Sequence, residues 1–106
     1  MPPPKQFIVE ANATVIGAVA FTGWDSGIGV AFGIFRPTGA YQPSAHATQI
    51  DGSLLDRAVD LRLTWADGRH LACDAVGLVD HSREVGDDGR EVTAFGVRDE
   101  AFWDGN

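Results

Sequence analysis

Residues 23–41 read GWDSGIGVAFGIFRPTGAY and contain five glycines, three of them spaced almost as in a phosphate-binding loop. Such a loop ends a strand in a glycine turn and opens a helix whose backbone N–H groups face the anion. In this chain Phe32 stands where the third glycine of GxGxxG belongs, and Pro37 would stop a helix that began at the glycines. We therefore interpret the glycines as parts of a strand and its turn, without a nucleotide.

The predicted strand over residues 28–35 has one bulky face and one nearly bare face, because alternate side chains of a strand point to opposite sides. The bulky face holds Ile28, Val30, Phe32 and Ile34, and the bare face holds Gly29, Ala31, Gly33 and Phe35. Glycines on a strand let a neighbouring backbone or an aromatic ring approach closely, at some cost in strand stability. We expect Trp24, Tyr41 or Trp65 to cover the bare face.

Two further strands are predicted before this stretch. Residues 6–11 alternate between apolar and polar side chains, which is typical of a half-buried strand. Residues 14–22 have apolar side chains at both odd and even positions, which favours a strand covered on both faces. The TGWDSGI segment that follows has turn chemistry and predicts a hairpin into residues 28–35.

The second half of the chain repeats the pattern of short strands and polar turns. Residues 59–65 alternate most clearly, and the Asp-Gly turn at 66–69 predicts a hairpin into a strand over 70–79. A polar turn at 87–89 leads to a last strand over 91–97.

The segments between these strands offer few helix signals. Two prolines and several small polar residues indicate that 36–47 is a loop. Ser53 is a candidate cap for a short helix over 54–58.

We expect the tail, with Phe102 and Trp103, to dock on the body of the domain.

These patterns predict a mainly β fold. We expect about six short antiparallel strands in a sandwich or a partly open barrel, with at most one or two short helices. At 106 residues the chain is predicted to form a single domain, 1–106, with a frayed start over 1–5.

Composition favours an ordinary soluble protein. Hydrophobic residues make up 44% and charged residues 22% of the chain. No apolar run approaches the roughly 18 residues of a membrane span, and the start lacks the apolar core of a signal peptide. The single cysteine, Cys73, excludes an internal disulfide and is expected to act as a small buried hydrophobe. We therefore expect a cytoplasmic protein.

The net charge of −7 lies almost entirely in the second half. The chain up to Ser53 contains three acidic and two basic residues. From Leu54 onward it contains twelve acidic residues and six arginines. An acidic surface repels phosphates, so we expect no nucleic-acid or membrane partner and an attraction for a basic protein. We expect a protein-binding module, monomeric or a small homo-oligomer, of which one form is an acidic inhibitor or immunity-type protein. The predicted partner-binding residues are Glu84, Asp87, Asp88, Asp99 and Glu100.

The alternative is a small-molecule-binding or enzymatic module. Its pocket would lie between the strand over 28–35 and the 36–47 loop. The residues predicted to line it are Trp24, Arg36, Tyr41 and His46.

Motifs for catalysis or metal binding are weak. His70 and Cys73 have the close spacing of zinc ligands, but an offset of three on a strand places them on opposite faces. Residues 80–82, Asp-His-Ser, have the residue types of a triad, yet neighbours in an extended segment point apart. We interpret them as a polar strand end that bonds local backbone, and we expect no catalytic residue, no metal and no cofactor.

Overall fold

Eight strands and three short helices make up the fold in a computed structural model, which describes residues 5–50, 53–54 and 59–103. The strands are β1 (Lys5–Ala11), β2 (Thr14–Asp25), β3 (Val30–Pro37), β4 (Gln49–Ile50), β5 (Ser53–Leu54), β6 (Leu61–Thr64), β7 (Ala75–Asp80) and β8 (Arg90–Phe95). The helices are α1 (Pro43–His46), α2 (Ser82–Val85) and α3 (Glu100–Trp103), and a 3-10 turn spans Asp87–Gly89.

One mixed sheet contains all eight strands in the order β5-β4-β7-β8-β3-β2-β1-β6, and it curls into a half-barrel. Its paired strands are antiparallel except β4 and β7, which run parallel. The prediction of a mainly β fold resembling a partly open barrel is confirmed, with six strands of four residues or more and a two-residue pair, β4 and β5. Lys5, expected in a frayed start, pairs with Phe21 at the beginning of β1.

The predicted hairpin between residues 59–65 and 70–79 forms only beside its turn, where Thr64 and His70 make an antiparallel bridge. The Asp-Gly turn itself forms, since the backbone N–H of Trp65 donates to the carbonyl of Arg69 at 2.7 Å. The chain then leaves β6, and β7 pairs with β8 and β4 instead. Local turn chemistry therefore sets the reversal of the chain, while contacts remote in sequence set the partners of β7.

The helix expected over 54–58 does not form at its predicted start. Ser53 and Leu54 form β5, which pairs antiparallel with β4; residues 55–58 lie outside the described residues. Pairing with β4 satisfies backbone groups that a single helical turn would leave without partners. The predicted 36–47 loop also contains structure, because β3 continues to Pro37 and α1 occupies Pro43–His46.

The strand β3 turns its bare face, and not its bulky face, into the core. Ala31 and Phe35 are fully buried, whereas Phe32 on the bulky face is 44% exposed. The same core contains the rings of Phe21 and Phe102. Small side chains on β3 thus leave room for large rings contributed by other elements.

Gly33 shows why the bare face needs glycine. A Cβ at this position would collide with the carbonyl oxygen of Ala20 and come within 2.9 Å of the Cα of Phe21. This confirms the expected close approach of a neighbouring backbone. The ring of Tyr41 packs edge-on against Phe35, with ring centres 5.0 Å apart, so Tyr41 covers part of the bare face as expected.

The expectation that β2 is covered on both faces is wrong for one face. Val19 and Phe21 are buried in the half-barrel, but Ala18 and Thr22, which point to the other side, are exposed. We call this uncovered side of the sheet the outer face. Its apolar members are Ile8 on β1, Ala18 and Ala20 on β2, Phe32 and Ile34 on β3, and Phe95 on β8.

The tail docks on the half-barrel as predicted. Phe102 is fully buried, and its ring centre lies 5.9 Å from that of Phe7 and 6.0 Å from that of Phe21. The indole N–H of Trp103 donates to the carbonyl of Val97 at 3.0 Å. Within the described part of the chain, helices are too short to cross a membrane.

Candidate functional site

The five predicted partner-binding acids lie in two separate places. Glu84 on α2 and Asp87 and Asp88 in the 3-10 turn precede β8, whereas Asp99 and Glu100 follow its other end. A strand of six residues such as β8 spans about 17 Å. The acids therefore form two clusters at opposite ends of a strand, and not one continuous surface.

Three of these carboxylates already have partners in the chain. Asp88 lies 2.9 Å from the guanidinium of Arg36, and Asp87 lies 3.5 Å from that of Arg90. Asp99 accepts a hydrogen bond from the indole N–H of Trp65 at 3.1 Å. Each contact lowers the negative potential that an incoming basic protein would meet.

The residues of the predicted pocket are only partly brought together. Tyr41 and His46 stack, with ring centres 5.9 Å apart, while Arg36 pairs with Asp88. Trp24 lies far from all three, because it sits opposite Ala31 at the turn end of β2 and β3, whereas Arg36 lies at the other end of β3. The four side chains therefore do not line one common pocket.

A buried carboxylate, Asp80, organises the end of β7. It accepts hydrogen bonds from the hydroxyl of Tyr41 at 2.6 Å, from the hydroxyl of Ser82 at 2.6 Å and from the backbone N–H of Ser82 at 2.9 Å. The Nε of Arg90 lies 3.6 Å away. The bond to the backbone of Ser82 confirms the interpretation of Asp80 as a polar strand end.

The electrostatics of Asp80 disfavour nucleophilic catalysis. Burial alone would raise the pKa of this carboxyl, but hydrogen bonds from Ser82 and Tyr41 and the charge of Arg90 outweigh burial and lower the pKa. A carboxylate with a lowered pKa is a weak base, which makes it a poor general base for the hydroxyl of Ser82. The network instead ties the segment before α1 to the end of β7.

Cys73 lines a cleft of about 300 Å³ near β6 and β7, together with Leu63, His70, Leu71 and Asp74 among others. The thiol is half-buried, not fully buried as expected, because residues 70–74 run irregularly before β7 begins. Burial raises the pKa of Cys73, and the negative charge of Asp74 raises it further. We therefore expect a thiol of low reactivity.

The outer face carries a groove of about 380 Å³ along β2. Its floor is formed by the small side chains of Ala18 and Ala20. Gln6 on β1 and Ile34 on β3 lie directly opposite Ala20 and form its walls. The groove therefore results from small residues on the middle strand between longer side chains on both neighbours.

Large exposed apolar side chains lie on the same side of the sheet as this groove. Ile8 is 40% exposed, Phe32 44% and Phe95 46%. Scattered exposed apolar residues need no explanation, but these lie together on one side of neighbouring strands. The sequence contains the residues of this face, namely the bulky alternate side chains of 28–35 and the alanines of 14–22. Alternation alone, however, does not say which face of a strand is inside.

Comparison with known proteins finds no match for this chain, whether among family models, curated proteins or solved structures.

Proposed function

We propose that this chain is a small protein-binding domain that binds its partner through the outer face. The observation that carries the proposal is the apolar groove over Ala18 and Ala20, flanked by the exposed side chains of Ile8 and Phe32. A contiguous apolar patch on a soluble domain marks an interaction surface, and apolar side chains with an aromatic residue at the centre are typical of interface cores.

A protein partner fits the groove better than a small molecule does. The groove is made by surface side chains of three adjacent strands. Pockets for small ligands enclose about 70–90% of the ligand, and side chains on one face of a sheet do not enclose a ligand in this way. The volume of about 380 Å³ nevertheless lies within the range of ligand sites, so a small apolar ligand is the second candidate.

The acidic clusters play a secondary role in this proposal. They lie at the two ends of β8, outside the apolar part of the outer face. There they keep the domain soluble and disfavour phosphate-bearing partners. The idea of an acidic inhibitor draws less support than the apolar surface does, because the acids are divided and several are paired.

The proposal assigns no enzymatic role and places the domain in the cytoplasm. The carboxylate of Asp80 is occupied by contacts within the chain. The single cysteine gives no reason to invoke an oxidising compartment.

Photo-crosslinking tests the proposal. A crosslinking phenylalanine analogue replaces Phe32 on the outer face in one variant and the exposed Ile28 of the β2–β3 turn in a matched control. After irradiation in a lysate of the source cell, we expect protein adducts from position 32 and few from position 28. Equal adduct formation at both positions, or none at position 32, would contradict a role for the outer face. Identifying the adducts by mass spectrometry separates other proteins from a second copy of the chain.

A further inference from the structure

We draw no further inference here: the strongest candidate, the apolar groove over Ala18 and Ala20 on the outer face, belongs to the site already proposed, and nothing in the structure shows which partner covers it.

Discussion

The hydroxyl of Tyr41 donates a 2.6 Å hydrogen bond to the buried carboxylate of Asp80, which lies 39 positions later in the chain. The contact joins the segment after β3 to the end of β7, two parts of the chain that no hairpin connects. It also places the ring of Tyr41 against Phe35 and so closes one side of the core. This polar cluster therefore contributes to the stability of this end of the half-barrel.

We expect Tyr41→Phe to lower the free energy of unfolding by about 1.5–3 kcal/mol, because the bond to a charged acceptor is lost while the ring remains. Denaturant unfolding at neutral pH measures the change. A double-mutant cycle with Asp80→Asn isolates the pair. Additive losses in the cycle would show that the two side chains do not interact.

The lowered pKa of Asp80 predicts a specific dependence of stability on pH. A carboxyl whose folded pKa lies below its ordinary value of 3.8 stabilises the fold above that value, and this stabilisation is lost as pH falls through the folded pKa. The difference in unfolding free energy between the native chain and Asp80→Asn should thus be constant between about pH 5 and 7 and shrink below about pH 4. A difference that grows in acid would contradict the sign of the shift.

We expect Gly33→Val to destabilise the fold by about 1–3 kcal/mol or more, since its side chain would collide with the backbone of β2. Gly39→Val is the matched control, because a Cβ at Gly39 has no described atom within 4 Å. Denaturant unfolding of both variants measures the contrast. Equal stabilities would mean that β2 and β3 are further apart than the structure has them.

We expect the thiol of Cys73 to react slowly with a thiol reagent at pH 8, because burial raises its pKa and limits access. The same reagent should label the chain rapidly in denaturant. Rapid labelling of the folded chain would place the cysteine at an open surface.

The sequence predicted the class of fold because alternation along residues 59–65 and polar turns depend on neighbouring residues. It did not predict the partners of β7. The turn made by Asp67 and Gly68 reverses the chain, but it does not determine which strand β7 pairs with. It also did not predict which face of β3 is inside. That choice depends on Phe102, about 70 residues further along, whose ring occupies the interior.

The candidate surface could be predicted only in part for the same reason. Glu84 and Asp99 are close in sequence, but β8 separates them in space. The groove over Ala18 and Ala20 can be recognised only when the register of β1, β2 and β3 is known.

The most direct test of the outer face as the binding surface is amide NMR of the isotope-labelled chain, titrated with a lysate of the source cell. The account predicts that, as lysate is added, the signals of Ile8, Ala20 and Ile34 shift or broaden together, while those of Val85 on α2 stay in place. Signals that the lysate leaves unchanged, or changes confined to α2 and the 3-10 turn, would contradict binding through the outer face.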